Sequence, residues 1–334
     1  MVRRESAKLL CAGSIPTVAS SFLKKFMQNR KYILFGLCGL LSVGALLWFL
    51  QVHAQENKQT DLSTSSLAVV PQSSVEWKKP EFLPAGCTSE IVTDKATGKI
   101  IYQKNSNAVW PVASLTKTVS AFALQKSGVD WEKIIVAKDS DLDLIKQNTA
   151  PGDSVGNLRV VAGAKIRAKD LLYASLIGSA NNSAVALARL VSPDYHGLVE
   201  RMNEIVQKKK LIKTYFVEPS GIDLKNVSTA KEFSILWRNV VNNPLLGAVI
   251  KTPSYSFSIE PEQGVPEEHT VRHTNKIMRY NKRMLAGKTG YLDESGFNLA
   301  FWYKNRKGAQ RLGVVLGCGT NKWLERRVSF LMEK

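Results

Sequence analysis

The sequence predicts an α/β fold of the α+β type for residues 87–334, because its strand-like and helix-like segments fall into separate blocks. Runs rich in β-branched and aromatic residues lie at both ends of this region, and a helical block separates them. Five runs are strand-like, in the order TSEIVTD, KIIYQK, MLAGKTGYL, FNLAFWYK and RLGVVLGC. A last run, KWLERRVSFLMEK, predicts a closing helix.

Residues 87–334 begin with a predicted hairpin, and a predicted helix follows it. KATG separates the first two strand-like runs, which predicts a β-hairpin. The following helix begins near Ser114 and carries Val119, Ala123 and Leu124 on one apolar stripe. Gly128 is expected to cap the end of this helix.

Further helices fill the middle of the domain. KDLLYASLIGS and NNSAVALARLV predict two buried helices joined at Ser179–Asn181, and GLVERMNEIVQKKK predicts an amphipathic helix. Thr229 and Glu232 have the spacing of a capping box before AKEFSILWRNVV. The last three strand-like runs then predict an antiparallel meander, with NRKG as one of its turns.

Composition and charge narrow the classes of partner. The 334 residues are 44% hydrophobic and 22% charged, as in ordinary globular proteins. The net charge is +18, and residues 1–54 contribute seven Lys or Arg against one acid. No basic motif interleaved with aromatic residues is present, so we expect no nucleic-acid partner and assign most of the charge to solvated surface.

The N-terminal region predicts export from the cytoplasm. Residues 1–31 form a basic cytoplasmic segment, and translation starting at Met27 is an alternative. Tyr32 to Leu50 is an uncharged run long enough to cross a bilayer as a helix. Val52 to Ala54 has the small-x-small pattern of a signal-peptidase site, so residues 32–54 are a cleaved signal peptide or a retained membrane anchor. Residues 55–86 are expected to be a linker, and residues 87–334 the catalytic domain.

Two of the four cysteines, Cys87 and Cys318, lie in the exported domain. An isolated pair in an oxidising compartment is a disulfide candidate, and two buried free thiols are the alternative.

Ser114 and Lys117 form the first motif that carries chemistry, S-x-x-K. On a helix, residues i and i+3 share a face, so the lysine amine can reach the serine hydroxyl. A serine becomes a nucleophile when a base takes its proton, and a lysine is such a base only if its pKa is lowered. Ser21–Lys24 and Ser228–Lys231 match the same pattern, so it is not specific alone.

Two later motifs add specificity. Ser179-Ala180-Asn181 offers a hydroxyl and an amide between two predicted helices, although serine and asparagine also favour turns. Lys288-Thr289-Gly290 offers a cation and a hydroxyl to a carboxylate, on a strand whose glycine permits close backbone approach. A second K-S-G, Lys126 to Gly128, is explained as a helix end.

In this order the three motifs resemble the signature of penicilloyl-serine transferases. VTDKATGKIIYQKNSNAVWPVASLTK, YFVEPSGIDLKNVSTAKEF, HTNKIMRYNKRMLAGKTGYLDESGFNLAF and RLGVVLGC are similar to segments of the serine D-alanyl-D-alanine carboxypeptidases, the low-molecular-mass penicillin-binding proteins. The resemblance covers nearly all of residues 87–334. It implies a β-lactamase/DD-peptidase-like fold, with a five-stranded antiparallel sheet packed against a largely helical subdomain.

The resemblance also implies roles for individual residues. Ser114 would be the nucleophile that forms an acyl-enzyme, Lys117 its general base, and Ser179 part of the proton network. The expected substrate-binding residues are Asn181, Lys288, Thr289, Gly290 and, through its backbone N–H in the oxyanion hole, Tyr291. The expected substrates are peptidoglycan stem peptides ending in D-Ala-D-Ala, with β-lactams as covalent inhibitors.

The same resemblance bears on the cysteines and on what this chain lacks. The family's first strand runs beside its last, which implies a Cys87–Cys318 disulfide. Glu218 stands where the family commonly has asparagine, and we expect it to support the loop rather than deacylation. The family's second, β-rich domain and its C-terminal amphipathic anchor are not expected here.

Three other functions are weighed against a DD-peptidase. A β-lactamase would hydrolyse β-lactams rapidly, and an inactive envelope-binding protein would keep the fold without chemistry. A zinc peptidase is not expected, because His53, His196, His269 and His273 lack ligand spacing. We therefore expect neither metal nor cofactor, and the motifs do not distinguish carboxypeptidase from endopeptidase action.

Overall fold

The computed structural model describes residues 75–83, 85–149 and 155–334. Its strands are β1 (Cys87–Asp94), β2 (Ile100–Lys104), β3 (Val109–Pro111), β4 (Ile134–Val136), β5 (Lys165–Arg167), β6 (Val227–Thr229), β7 (Ser254–Ile259), β8 (Glu267–Arg272), β9 (Met284–Leu292), β10 (Gly296–Lys304) and β11 (Gln310–Cys318). Its α-helices are α1 (Thr116–Lys126), α2 (Asp143–Gln147), α3 (Ala168–Leu176), α4 (Asn181–Ala188), α5 (His196–Lys208), α6 (Ala230–Asn242), α7 (Pro244–Val249), α8 (Ile277–Tyr280) and α9 (Asn321–Leu331).

The main sheet is antiparallel and has the strand order β2-β1-β11-β10-β9. The five predicted strands are those that form it, so the predicted α+β fold and its five-stranded sheet are confirmed. Because β1 pairs with β11, the sheet joins the two ends of the domain, and the helical block is inserted between β2 and β9. The edge strand β9 carries the K-T-G motif.

Alternating side chains on the strands build a core on both faces of the sheet. Ile91 of β1 and Val314 of β11 belong to the cluster that includes the buried residues of α1 and α6. Their neighbours Val92 and Val315 belong to a second cluster with Leu324 of α9. The sheet is therefore a middle layer between the helical block and α9.

The predicted disulfide is present. Cys87 and Cys318 lie directly opposite each other in the β1–β11 pairing, and their sulfur atoms are bonded. The bond joins the first residue of the sheet to the last.

Three short ladders were not predicted: β3 with β6, β4 with β5, and β7 with β8. The first two contain strands of three residues, which are too short to show an alternating pattern. The β3–β6 and β4–β5 ladders also join segments that are distant in sequence, so their pairing depends on the packing of the helical block.

The predicted capping box before α6 is half correct. The Thr229 hydroxyl accepts a hydrogen bond from the Glu232 backbone N–H at 3.0 Å. The Glu232 carboxylate turns elsewhere, to the Lys213 backbone N–H and the Thr214 hydroxyl. Glu232 therefore ties α6 to the segment before β6.

The residues just before β1 pack on the domain. Trp77 lies edge-on to Trp110 with ring centroids 5.6 Å apart, and Leu83 packs against the first core cluster. The predicted membrane segment, Tyr32 to Leu50, lies outside the described residues. Within the described ranges, no helix combines the length and apolar character that crossing a membrane requires.

Candidate active site

Ser114 lies in a 3-10 turn, Ala113–Leu115, that leads directly into α1. Ala113 has a φ of 48°, in the left-handed region that residues other than glycine rarely adopt. Such strain persists only where the surroundings hold the backbone in place, and here Ala113 has no exposed surface. The turn leaves Ser114 on the wall of a cleft.

Lys117 lies one turn further along, and its Nζ is 2.9 Å from Ser114 Oγ. The amine also donates to Asn181 Oδ1 at 2.5 Å and to the Ser220 backbone carbonyl. The side chain has no exposed surface, and this burial lowers the pKa of Lys117 to about 7 against an opposing effect of Glu218. Near neutral pH the lysine can therefore take a proton from Ser114.

Ser179 and Asn181 lie in and after the turn between α3 and α4. Ser179 has a φ of 61°, and the Ala180 N–H closes the turn by donating to the Ala174 carbonyl at 3.0 Å. Asn181 begins α4, which directs its amide towards Lys117. The strained turn thus presents a hydroxyl and an amide to the same cleft.

Lys288 extends from β9 across the cleft to this turn. Its Nζ donates to Ser179 Oγ at 2.7 Å and to the Thr289 carbonyl at 2.8 Å. Burial, reinforced by the nearby charge of Lys117, places the pKa of Lys288 well below its ordinary value. The three motifs therefore form two hydrogen-bonded sets, Ser114–Lys117–Asn181 and Ser179–Lys288, which the α3–α4 turn brings together.

Thr289 points to the other face of β9, because successive strand residues alternate. Its hydroxyl lies 2.6 Å from the hydroxyl of Thr274, in the segment that precedes α8. Nothing in the motif patterns singled out Thr274, although it falls in the HTN run that carries part of the family resemblance.

Two glycines allow other segments to touch the nucleophile turn. A Cβ on Gly290 would lie 2.8 Å from the Val112 carbonyl oxygen and 3.2 Å from the Ser114 backbone nitrogen. A Cβ on Gly221 would lie 1.9 Å from the Ala113 carbonyl oxygen, and the φ of Gly221 is 84°. The strand β9 and the loop 218–223 therefore approach the turn at a distance that only glycine permits.

Glu218 organises that loop. Its carboxylate accepts hydrogen bonds from several donors, including the Ser220 N–H at 2.6 Å, the Ile222 N–H at 2.8 Å and the Asn226 side-chain amide. The residue is 1% exposed and does not line the cleft. Glu218 therefore fixes the loop whose Ser220 carbonyl binds Lys117, as the sequence predicted.

The cleft has a volume of about 540 Å³. Tyr291 lines it beside Gly290, with its phenol turned to Asp293 at 2.7 Å. The residues around the cleft come from the nucleophile turn, the α3–α4 turn, the 221–222 loop, the segment before α8, the strands β9 and β10, and the start of α9; they include Ser114, Ser179, Asn181, Ile222, Thr274, Lys276, Thr289, Tyr291, Leu299 and Leu324.

The structure separates these motifs from the other matches. Ser228 is buried in β6, where its hydroxyl lies 2.7 Å from that of Thr214. Lys126 ends α1 and Gly128 follows with a φ of 68°, as expected of a helix end. Ser21 lies outside the described residues.

Comparison with known proteins matches the chain to a family model and to several curated relatives. The sequence model of the D-alanyl-D-alanine carboxypeptidase family matches residues 78–320. A D-alanyl-D-alanine endopeptidase of Pseudomonas aeruginosa is 29% identical over 215 residues, which cover 62% of this chain and 64% of that protein. One from Haemophilus influenzae is 26% identical over 246 residues, 72% of this chain and 80% of that one. The chain thus spans just under two thirds of the Pseudomonas relative.

Solved structures share the fold. The DD-transpeptidase of Streptomyces K15 superposes with a TM-score of 0.68 at 22% identity, over 77% of this chain and 98% of that one. A D-alanyl-D-alanine carboxypeptidase of Mycobacterium tuberculosis superposes with a TM-score of 0.64 at 20% identity, over 77% and 95% of the two chains. At these identities the likeness establishes the fold alone.

Proposed function

The chain belongs to the D-alanyl-D-alanine carboxypeptidase family of serine peptidases, and on that premise we propose that it is a DD-peptidase acting on peptidoglycan stem peptides. The observation that carries the proposal is the 2.9 Å contact between Ser114 Oγ and the amine of a buried lysine whose pKa is about 7. A serine paired with such a base is suited to acyl transfer.

In the proposed acylation, Lys117 takes the proton of Ser114, and Ser114 Oγ attacks the carbonyl carbon of the penultimate D-Ala. The backbone N–H groups of Ser114 and Tyr291 hold the oxygen that becomes negative. The intermediate collapses to an ester on Ser114, and the amine of the leaving residue departs with the proton that Lys117 took from Ser114, for which the Ser179 hydroxyl is the proposed relay. Water then hydrolyses the ester and regenerates the hydroxyl of Ser114.

Binding is assigned to the remaining motif residues. Asn181, which begins α4 on the cleft wall, is suited to hold the substrate's amide groups through the part of its side chain not used by Lys117. Thr289 faces the cleft with a hydroxyl and is suited to the carboxylate of the leaving residue. Gly290 supports this role indirectly, because its missing side chain lets β9 lie against the turn that carries Ser114.

The same chemistry makes β-lactams covalent ligands of Ser114. Glu218 argues against β-lactamase activity, since its buried carboxylate accepts hydrogen bonds from backbone donors and does not reach the cleft. We therefore expect a long-lived penicilloyl adduct rather than rapid turnover.

The sequence of residues 32–54 and the proposed substrate both support a location in the cell envelope. The relatives named above come from bacteria, whose cell walls contain the proposed substrate. A cleaved signal peptide would release the catalytic domain, and a retained segment would hold it at the membrane.

The decisive experiment compares wild type with Ser114→Ala on purified muropeptides, using pentapeptide monomers and cross-linked dimers. We expect wild type to release D-Ala, open dimers, or do both, and to bind labelled penicillin at Ser114. The variant should lose at least about 99% of each activity, as expected when a nucleophile is removed.

Ser127→Ala is the matched control, because Ser127 lies at the other end of α1 and bonds only the Ala123 and Leu124 region. It should behave as wild type. A wild-type protein that neither processes muropeptides nor reacts with penicillin would point to the inactive binding protein.

A further inference from the structure

A second pocket, of about 440 Å³, opens at the surface where β2 leads into β3. We call it the amide-lined pocket, and its lining residues are Gln103, Asn105, Ser106, Asn107 and Ala108. None of these residues lines the catalytic cleft. Ala108 precedes Ser114 by six residues, so their Cα atoms are at most about 22 Å apart. The pocket is therefore separate from the cleft but close enough for one polymer to contact both.

The backbone of the amide-lined pocket is held in a tight turn. The Asn105 carbonyl accepts hydrogen bonds from the Ser89 hydroxyl and from the Ala108 N–H, both at 3.0 Å. Asn105 has a φ of 48°, in the left-handed region that asparagine adopts more readily than most residues. The pocket therefore has its shape before a ligand binds, which reduces the entropy cost of binding.

Hydrogen-bonding side chains line the pocket. Gln103, Asn105 and Asn107 are exposed, and the hydroxyl of the buried Ser106 donates to Gln103 Oε1 at 2.7 Å. Within the part of the chain that the structure describes, no hydrogen bond engages the side-chain amide of Asn105 or of Asn107. Side-chain amides of this kind pair with the amide and hydroxyl groups of peptides and sugars.

Two lysines adjoin the pocket. The Lys231 backbone N–H donates to the Ser106 carbonyl at 2.9 Å, and the Lys213 ammonium donates to the Asn107 carbonyl at 3.3 Å. Both lysines are exposed, and no salt bridge within 4 Å joins either ammonium to a carboxylate of the described residues. A carboxylate beside the pocket would therefore gain charge-assisted contacts.

The wider surface has the same charge. Residues 103–108, 208–213 and 231–235 contain six lysines and one acid, Glu232. The Glu232 carboxylate already accepts a hydrogen bond from the Thr214 hydroxyl at 2.6 Å. A surface with this excess of one sign attracts anionic ligands and raises their local concentration.

We propose that the amide-lined pocket is a second binding site for peptidoglycan, which takes a carboxylate-bearing stem peptide that is not being cleaved. This inference rests on the proposed function. The amides of Asn105 and Asn107 pair with the peptide groups, and Lys213 and Lys231 attract the carboxylates. Because the substrate is a polymer, a strand held in the pocket raises the concentration of neighbouring stem peptides at Ser114.

The shape of the pocket favours a peptide over an anionic membrane as its partner. A bilayer is flat on the scale of a pocket of about 440 Å³, so lipid headgroups would meet the lysines but not the amides inside. A flexible peptide can enter the pocket and use both kinds of group.

The test measures the binding of the full chain, in a non-ionic detergent, to purified peptidoglycan sacculi by co-sedimentation. Every protein also carries Ser114→Ala, so that no sacculus is digested. Lys213→Gln/Lys231→Gln should raise the Kd by about threefold to thirtyfold, as expected for the loss of two exposed charge contacts. Asn107→Ala should raise it by about twofold to tenfold, as expected for a lost hydrogen bond.

Lys133→Gln/Lys307→Gln is the matched control, because it removes the same charge from two exposed lysines elsewhere. Lys133 precedes β4, and Lys307 lies in the β10–β11 turn. Its Kd should stay within about twofold of wild type. Added salt should weaken binding by the wild-type pocket, because its lysines are exposed.

A soluble stem tetrapeptide with free carboxylates should compete for the pocket, and its amidated form should compete less well. Equal losses of binding in the two double variants, or no loss in either, would overturn the proposal. Binding to detergent micelles that contain phosphatidylglycerol, without binding to sacculi, would assign the surface to a membrane and would also overturn it.

Activity measurements with Ser114 intact separate this inference from the proposed function. Lys213→Gln/Lys231→Gln should slow the processing of sacculi by about threefold or more. It should leave penicillin acylation and the cleavage of a short soluble peptide within about twofold of wild type, which also shows that the variant is folded. If wild type processes neither substrate, the proposed peptidase activity fails, and the binding of the Ser114→Ala proteins to sacculi still decides whether the pocket binds peptidoglycan.

Discussion

Two lysine side chains at the active site, Lys117 and Lys288, have no exposed surface. Burial disfavours an ammonium, so the pKa of each falls, and the charge of Lys117 lowers that of Lys288 further. Hydrogen bonds to Asn181 and Ser179 orient the two amines. The burial that makes Lys117 a base is thus produced by the same packing that holds it against Ser114.

The first prediction concerns the pH dependence of acylation. Lys117 accepts a proton only when neutral, and its pKa is about 7, so acylation should rise with pH through about 7 and then level off. Well below that point the rate should fall about tenfold per pH unit, the slope expected for one essential base. The second-order rate constant with labelled penicillin, measured from pH 5 to pH 9, tests this.

Glu218→Gln should move the midpoint of this profile to lower pH. The carboxylate of Glu218 raises the pKa of Lys117 and burial lowers it, so removal of the carboxylate should lower this pKa further. Glu204→Gln, on the exposed surface of α5, is the control and should leave the midpoint in place. A midpoint that moves to higher pH in Glu218→Gln would contradict the assignment of Lys117 as the base.

At the scale of elements, four segments meet at the nucleophile turn: α1, the α3–α4 turn, the loop 218–223 and β9. Each contributes one part of the site, and two of them approach through a glycine. The left-handed φ of Ala113 and of Ser179 shows that this junction constrains the backbone as well as the side chains.

The second prediction is that Gly221→Ala disrupts the site through contact rather than through backbone conformation alone. Its Cβ would lie 1.9 Å from the Ala113 carbonyl oxygen, so the turn that carries Ser114 must shift. We expect acylation to slow by at least about a hundredfold, because small displacements of reacting groups have costs of that order.

Gly128→Ala is its control. Gly128 also has a positive φ, of 68°, but a Cβ there meets nothing within 4 Å. Both variants should lose about 1 kcal/mol of unfolding free energy to backbone strain, and Gly221→Ala should lose more. Similar acylation rates for the two variants would show that the close approach of Gly221 to the turn that carries Ser114 has no effect on acylation.

The sequence predicted the elements whose pattern is local. Strands and helices of eight or more residues were recognised from their periodicity, and Thr229 was recognised as a cap. Thr274, Ser220 and Gly221 were not assigned to the site, because their roles arise from contacts with residues 15 to 108 positions away. For the same reason Glu232 was expected to close a capping box and instead binds the segment before β6.

For the whole molecule, the disulfide and the strand order both connect the two ends of the domain. Sequence patterns alone left the state of Cys87 and Cys318 open, and only the family's strand arrangement implied their bond. Pairing of β1 with β11 is a property of the complete fold, because 231 positions separate the two cysteines.

The third prediction is that removal of the disulfide destabilises the fold but leaves the acylation of Ser114 nearly unchanged. Closing so long a loop restricts the unfolded chain, so the Cys87→Ala/Cys318→Ala variant should lose about 2–5 kcal/mol of unfolding free energy. Neither cysteine lines the cleft, so penicillin acylation should stay within about threefold of wild type.

Urea denaturation of wild type, with and without reductant, and of the double variant measures the loss. Reduced wild type should be less stable than oxidised wild type and should resemble the variant. Equal stability of oxidised wild type and the variant would show that the bond contributes nothing to the fold.

The strand order also fixes when the sheet can be completed as the chain is made. The β1–β2 hairpin emerges first, yet β1 has no partner on its other side until β11 appears, more than 200 residues later. A chain that is synthesised from its N-terminus therefore carries an open strand edge, which is prone to pairing with other chains, through most of its production. The sheet closes only when nearly the whole domain is present, so early release or a stalled chain leaves a hairpin without its partner.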